Sequence, residues 1–138
     1  MTSKEDLDYI VEAAERFYKE AGFVYPDDIY AYYESLNQNP MIFTVVERGR
    51  GFIVGFIAPS FLEPTMLQCS ELAWYVEPEH RGTSVAVKLM KKYEAYAKAK
   101  GCNYITMVCL ESLSPESVEK IYHKLGYNTL EHHYRKEI

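Results

Sequence analysis

The most constraining feature of this sequence is the stretch from Met66 to Leu110, where a β-rich run, a turn, a helical run and a second β-rich run follow one another. Residues 83–100 are predicted as a helix because apolar side chains recur there every three or four positions. Gly101 suits the position just after the helix, and Tyr104–Leu110 is a short apolar strand. Two strands joined through a helix almost always form a parallel, right-handed β–α–β unit. The stretch therefore predicts an α/β domain.

The flanking elements extend this prediction to the whole chain. Ser3 and Asp6 resemble a capping box at the start of a first helix, which Gly22 ends. Ser114 is the predicted N-cap of a last helix, with Pro115 at its first position. The predicted elements are helices 3–22 and 26–36, strands 41–47, 52–58 and 66–76, helix 83–100, strand 104–110, helix 115–125 and strand 127–138. This order, ααβββαβαβ, is a mixed-sheet α/β fold in a single domain of residues 1–138.

The turn between the third strand and the long helix has features of a phosphate-binding site. Backbone N–H groups at a helix N-terminus are unpaired and carry the positive end of the helix dipole. Gly82 allows the backbone to approach a ligand closely, and Arg81 adds a fixed positive charge. Many helices also begin with Arg-Gly without binding a ligand. The turn alone is therefore compatible with either interpretation.

A longer pattern spans the second half of the chain. It consists of Val76-x-Pro78-x-x-Arg81-Gly82-x-x-x-Ala86-x-x-Leu89, then Gly101 and a strand, then Tyr122-x-x-Leu125-Gly126-Tyr127. This pattern resembles the GNAT superfamily of N-acetyltransferases, over residues 40–138 and more loosely over the first helices. The stretch from Gly126 to Lys136 is similar to the C-terminus of short members from bacteria and their phages. The resemblance implies a GNAT-like fold and an acetyltransferase that uses acetyl-CoA as cosubstrate.

The resemblance also implies where the coenzyme binds. Backbone amides of the turn would hold the pyrophosphate, and the end of the preceding strand would pair with the pantetheine amides. The family pattern is Gln/Arg-x-x-Gly-x-Gly/Ala, and Ser84 stands where the first of these glycines is expected. A serine hydroxyl at that position can donate a hydrogen bond to phosphate. The implied coenzyme-binding residues are Trp74, Tyr75, Val76, Arg81, Gly82, Thr83, Ser84, Val85 and Ala86.

Two residues are candidates for proton transfer. Acyl transfer to an amine needs the amine in its neutral form, and the leaving thiolate needs a proton. By resemblance, Glu71 is the general base, acting directly or through water, and Tyr122 is the acid near the coenzyme A sulfur. A carboxylate that acts as a base near pH 7 needs a water relay or a raised pKa. The alternatives are a solvent-exposed or substrate-binding Glu71 and a Tyr122 that only packs.

Departures from the family pattern keep a second function open. Many relatives carry a coenzyme-binding Asn seven residues before the tyrosine, where this chain has Pro115. The family usually begins with a strand, whereas here a helix starts almost at once, so the first strand is absent or the chain is a shortened form. Together with Ser84, these departures motivate an alternative. In that alternative the chain is a coenzyme A or acyl-CoA binding module without transferase activity, serving as a sensor or binding a partner.

Charge and composition limit the partners. The net charge is −5, and the acidic total argues against nucleic acid as a partner. Residues 1–40 carry three basic and nine acidic groups, which suits a cationic substrate, although solvated helix faces would look the same. The three cysteines lack a metal-binding spacing, and adjacent His132 and His133 face opposite sides of a strand, so no metal site is predicted.

The termini and apolar runs bear on location and assembly. The N-terminus lacks a signal-peptide pattern, and no apolar run approaches the length of a membrane span. These features predict a cytoplasmic protein away from membranes. The resemblance implies an enzyme that acts on a small-molecule amine or a protein amine. Members of the resembling family often form homodimers, although no segment of this sequence indicates one.

Overall fold

A computed structural model gives the structure of residues 2–110 and 113–138, in two units, Met1–Val108 and Cys109–Ile138. The first unit contains three helices and a four-stranded sheet. The second contains one helix. The mixed α/β fold class predicted from the sequence is confirmed.

The first helix begins and ends at the residues that its capping signals indicate, whereas the second begins three residues later than predicted. Helix α1 spans Lys4–Ala21, with the Ser3 hydroxyl accepting a hydrogen bond from the Asp6 N–H at 3.2 Å. Helix α2 spans Ile29–Asn37, and the Asp28 carboxylate accepts from the Ala31 N–H at 3.0 Å. Asp28 therefore caps this helix instead of lying inside its first turn. Side chains that bind free N–H groups in this way stabilise a helix by about 1 kcal/mol.

The sheet of the first unit is mixed. Its strands are β1 (Ile42–Glu47), β2 (Gly51–Pro59), β3 (Leu67–Val76) and β4 (Tyr104–Thr106), in the spatial order β1-β2-β3-β4. The first three are antiparallel, and β3 and β4 are parallel. Helix α3, Val85–Ala99, connects β3 to β4, so the predicted β–α–β unit is confirmed.

Helices α1 and α3 cover opposite faces of the sheet. Val54 lines a small cavity together with Leu7 and Ile10 of α1. A Cβ built on the next residue, Gly55, would instead meet the ring of Tyr93 on α3 at 2.7 Å. Successive residues of a strand point to opposite faces, so the two helices lie on either side of β2. The long helix is buried along the apolar face predicted for it, with Leu89, Met90 and Tyr93 inaccessible to solvent.

A β-bulge interrupts the pairing of β2 and β3. Val54 pairs with Ala73 and Gly55 pairs with Glu71, so Leu72 is an extra residue on β3. The parallel ladder between β3 and β4 reaches only to Ser70 and Thr106. Strand β4 is therefore shorter than the predicted Tyr104–Leu110. A bulge bends and twists its strand, and the ladder ends where this one begins.

The second unit contains helix α4, Pro115–Lys124, with Pro115 at its first turn as predicted. Ser114 precedes it with φ 45° and makes no side-chain capping bond, unlike the predicted N-cap. Residues 127–138, predicted as a strand, lie outside helix and strand. The apolar side chains of this segment are separated by charged ones and stay exposed, Leu130 at 76% and Tyr134 at 92%, so there is little buried surface to stabilise a strand. No helix in the described ranges is long and apolar enough to cross a membrane.

Candidate functional site

The candidate site begins at the bulge of β3. From Glu71 to Val76 this strand pairs with β2 on one side, while on its other side no strand pairs with it in the described part of the chain. A strand edge of this kind presents backbone N–H and C=O groups to whatever lies beside it. An extended ligand with amide groups can pair with such an edge as an added strand would.

Glu71 stands at the head of this open edge and is buried. The residue is 9% exposed, and its Oε2 atom makes no hydrogen bond with any described residue. Burial away from water disfavours the charged carboxylate and raises the pKa of Glu71 to about 8. The alternative of a solvent-exposed Glu71 is therefore wrong. A buried carboxyl with a pKa this high changes its charge close to neutral pH, as groups that transfer protons in catalysis often do.

The surroundings of Glu71 explain its raised pKa. Gly55 pairs with Phe43 on β1 and with Glu71 on β3, so the three residues lie in one row on the same face of the sheet. A Cβ on Gly55 would come within 2.7 Å of the Phe43 and Tyr93 rings. This face is therefore densely packed with aromatic groups next to the carboxyl.

Cys69, two residues before Glu71, is the thiol nearest to this position along the strand. It is fully buried, and its Sγ lies 3.2 Å from the Tyr93 hydroxyl. Burial raises the pKa of the Cys69 thiol to about 11. The group is accordingly protonated near neutral pH, and a protonated thiol is a poor nucleophile.

The turn between β3 and α3 contains a left-handed glycine two residues before the N-cap of the helix. A short 3₁₀ helix, Pro78–His80, leads into Gly82, whose φ of 76° is the left-handed conformation that favours glycine. Thr83 accepts a hydrogen bond from the Val85 N–H at 3.3 Å. Ser84 has φ −71° and ψ −5°, is exposed, and makes no capping bond. Because any residue adopts this backbone conformation, Ser84 fits without strain at the expected glycine position.

Arg81, predicted as a fixed charge for phosphate, is bonded within the protein. Its Nε donates to the Val76 carbonyl at 2.8 Å, and its two terminal nitrogens lie 2.8 and 2.9 Å from the two carboxylate oxygens of Glu20 on α1. The guanidinium carbon also lies 5.5 Å from the centre of the Tyr75 ring. This side chain therefore connects the end of β3, the turn and α1.

A second buried carboxylate, Glu77, was not singled out from the sequence. It is 5% exposed and accepts hydrogen bonds from Tyr9 at 3.1 Å, from Tyr75 at 3.2 Å and from Arg16. Burial alone would raise its pKa, but these hydrogen bonds and the Arg16 charge lower it overall. Its only sequence signal is a four-residue spacing from Arg81. Its partner Arg16 lies on a helix 61 positions away, so this contact leaves no local pattern in the sequence.

The predicted coenzyme-binding residues of the first unit lie together. Tyr75 and Val76 are buried at the end of β3, and Trp74 is half-buried beside them. The stretch from Arg81 to Ala86 follows directly. Tyr122 belongs to the second unit, where it is buried on α4 with its ring 5.8 Å from that of Tyr127. No group of three or more His, Cys, Asp or Glu among residues 2–110 and 113–138 is placed to hold a metal ion.

Comparisons with known proteins place this geometry among acetyltransferases. The model of the acetyltransferase (GNAT) family matches residues 7–127, across both units. No curated protein gives a significant match.

Three similar solved structures cover nearly all of the chain. One is AAC(6')-Iy with the bisubstrate analogue CoA-S-monomethyl-acetylneamine, with TM-score 0.77, 19% identity and coverage of 99% of this chain and 95% of that one. A ribosomal-protein-alanine N-acetyltransferase from Brucella melitensis biovar Abortus 2308 has a TM-score of 0.72 and 16% identity, and the match covers 96% of this chain and 94% of that one. A predicted acetyltransferase with acetyl-CoA from Clostridium acetobutylicum has a TM-score of 0.72 and 16% identity, and the match covers 99% of this chain and 92% of that one. At these identities the structural likeness shows the fold.

Proposed function

Since this chain belongs to the acetyltransferase (GNAT) family, and is thereby an acyl-CoA-dependent N-acetyltransferase, we propose that it transfers the acetyl group of acetyl-CoA directly to a primary amine in a ternary complex. The observation that carries this proposal is Glu71. A buried carboxyl without a partner for Oε2, with a pKa of about 8, lies at the start of the open edge of β3. The location and the chemistry both suit a general base.

The coenzyme is proposed to bind along the open edge and the turn that follows. The pantetheine amides pair with the backbone of β3 between Trp74 and Val76. The pyrophosphate binds the N–H groups from about Gly82 to Ala86, where the positive end of the α3 dipole favours negative charge. The exposed Ser84 hydroxyl is placed to donate a further hydrogen bond to phosphate.

The proposed reaction is a direct aminolysis of the thioester. The nitrogen of the neutral amine attacks the acetyl carbonyl, and its surplus proton passes to Glu71, directly or through one water molecule. The tetrahedral intermediate then collapses, the carbon–sulfur bond breaks, and the leaving thiolate takes a proton, for which we propose Tyr122 as donor. The products are an N-acetyl amide and free coenzyme A. No covalent enzyme intermediate is needed, and the protonated thiol of Cys69 is not used.

The acceptor is proposed to be a small-molecule primary amine. AAC(6')-Iy was solved with an analogue that joins coenzyme A to acetylneamine, which supports this class. The ribosomal-protein-alanine N-acetyltransferase makes a protein amine the alternative to be tested beside it. The nine acidic groups among residues 1–40 of this chain favour a cationic acceptor of either kind.

The test combines a thermal-shift titration with an assay of thiol release. The protein is titrated with coenzyme A, and release of the free thiol from acetyl-CoA is then followed with a panel of small amines and peptides. A rise in the unfolding temperature together with amine-dependent thiol release supports the proposal. A rise without turnover on any amine favours the non-catalytic binding module. If coenzyme A produces no rise, both functions are contradicted.

A further inference from the structure

One turn of helix α1 contacts both ends of the segment 77–81, which leads into the coenzyme-binding turn. Arg16 bonds to Glu77, and Glu20 bonds to Arg81. The members of each set, Arg16 with Glu20 and Glu77 with Arg81, are four residues apart in sequence. Two ion pairs therefore join α1 to the stretch between β3 and α3. In one pair the helix supplies the positive charge, and in the other it supplies the negative charge.

In the first contact the carboxylate is buried, whereas the Arg16 side chain is partly exposed. The Glu77 side chain is 6% exposed, and it accepts from Tyr9 and Tyr75 as well as from Arg16. Its own N–H donates to the Arg50 carbonyl at 2.7 Å in the turn between β1 and β2. Both the backbone and the side chain of Glu77 are thus fixed, and hydrogen bonds to a charged carboxylate are among the stronger ones in proteins.

The second contact uses the whole guanidinium of Arg81. Each of its three nitrogens lies within 2.9 Å of an oxygen of Glu20 or Val76. A bidentate arginine–carboxylate pair has a defined geometry that a lysine or a lone hydrogen bond lacks. A phosphate ligand at this side chain would have to compete with Glu20 for it.

We propose that Arg16 and Glu20 are positioning residues for the coenzyme, and that Arg81 acts through Glu20 to fix the turn and is not itself a phosphate ligand. The inference rests on the proposed function and names which groups prepare its coenzyme site. A turn held in its binding conformation loses less conformational freedom when the ligand binds, which favours affinity. The phosphate contacts are then made by backbone N–H groups from Gly82 onward.

The two possible roles of Arg81 predict opposite effects of a change at Glu20. Coenzyme A affinity is measured by calorimetry for the full chain, for Glu20→Ala, for Arg81→Ala and for the double variant. If Arg81 fixes the turn through Glu20, both single variants bind more weakly by a similar factor, on the order of tenfold, and the double variant is no weaker than either. If Arg81 is a phosphate ligand, Glu20→Ala frees it and binds as tightly as the wild type or more tightly, which would overturn the inference.

Further variants separate positioning from loss of stability. Asp8→Ala removes an exposed ion pair with Lys4 on the same helix and should leave affinity unchanged. The exchanged pair Glu20→Arg with Arg81→Glu should recover part of the affinity lost in the single variants. In steady-state assays, Glu20→Ala should raise the KM for acetyl-CoA while kcat stays within about twofold, which general destabilisation would not produce.

Hydrogen exchange gives a readout that does not depend on the ligand. Without coenzyme, amides of the stretch from Glu77 to Val85 should exchange faster in Glu20→Ala and Arg81→Ala than in the wild type. Unchanged exchange would contradict the positioning role even where the coenzyme binds. A wild-type protein that binds no coenzyme A would contradict the proposed function, and this inference with it. A wild type that binds, with a Glu20→Ala variant that binds equally well, overturns the inference alone.

Discussion

At the scale of single residues, two buried glutamates six positions apart differ in the direction in which their pKa is shifted. Glu77 is surrounded by donors, and these lower its pKa in spite of burial. Glu71 has an Oε2 atom without a partner among the described residues, and burial raises its pKa to about 8. The same residue type thus has a structural role in one position and the properties of a base in the other.

Replacing Glu71 with Gln should remove the base and leave the shape of the site unchanged. We expect kcat/KM for the amine to fall about 100-fold or more, as is typical when a general base is lost, with coenzyme A affinity within about twofold of wild type. In the wild type, kcat/KM should rise with pH through about 8, and this dependence should be absent from the variant. The rise caused by deprotonation of the amine itself is common to both proteins.

The matched control is Glu79→Gln, which removes the same charge from an exposed position on the short 3₁₀ helix. It should retain the activity and pH profile of the wild type. Full activity in the Glu71 variant, with the rise at pH 8 intact, would mean that another group accepts the proton.

The raised pKa of Glu71 also predicts how stability changes with pH. The folded carboxyl keeps its proton up to about pH 8, whereas an unfolded one loses it near 4.5. Its contribution to stability is therefore fully present below about pH 4.5 and is lost as pH rises through 8, by at most about 5 kcal/mol. Relative to the wild type, Glu71→Gln should gain stability between pH 5 and pH 9 in denaturant titrations. A difference that is constant over this range would show that the carboxyl is not buried in the neutral form.

At the scale of elements, the turn before α3 requires a glycine at position 82. Gly82 has φ 76°, and a Cβ there would meet no atom within 4 Å, so Gly82→Ala introduces backbone strain without a clash. The left-handed conformation costs an L-residue about 1–2 kcal/mol. We expect coenzyme A affinity to fall several-fold, because part of the strain is relieved by moving the turn. Calorimetry would measure the change.

Gly101, at the other end of α3, provides the control for this variant. It has φ 84°, and a Cβ at this position would likewise meet no atom within 4 Å. Gly101→Ala should lower the unfolding temperature about as much as Gly82→Ala and leave coenzyme binding unchanged. An equal loss of binding in both variants would indicate general destabilisation and not a local effect on the turn.

Local signals explain why much of this architecture was predictable. Ser3 and Gly22 act within four residues of themselves, and the apolar spacing of α3 is a property of one helix. The bulge at Leu72 was not predictable, because it depends on the register between two strands. The contacts of Arg16 and Glu20 join residues 61 positions apart, and the pKa of Glu71 depends on neighbours from three different elements. The sequence therefore predicted the position of Glu71 on its strand but not the environment of its side chain.

The prediction of a last strand over residues 127–138 was wrong for a different reason. A strand was predicted there, but strand propensity depends strongly on what the side chains pack against. In the structure Leu130 and Tyr134 are exposed, and the segment forms no regular element. The segment lacks the packing surface that makes a strand stable.

At the scale of the whole molecule, coenzyme binding should stabilise the fold. A ligand that binds only the folded state at 100 times its Kd adds about 2.7 kcal/mol to the free energy of unfolding. For a chain of this size that corresponds to a rise of several degrees in the unfolding temperature. The rise should be about one third smaller in Gly82→Ala at the same coenzyme concentration, because a several-fold loss of affinity removes about 1 kcal/mol of this stabilisation. An equal rise would show that the turn does not contribute to the site.

The most direct test of the central claim is the stoichiometry of product formation. Purified protein is incubated at pH 8 with acetyl-CoA and a responsive amine, and the N-acetyl amide and free coenzyme A are both quantified by mass spectrometry. We predict equal amounts of the two products, formed catalytically by the wild type and by Glu79→Gln and about 100-fold more slowly by Glu71→Gln. Coenzyme A released without N-acetyl amide, or amide formed equally fast by the Glu71 variant, would contradict acetyl transfer to an amine with Glu71 as the base.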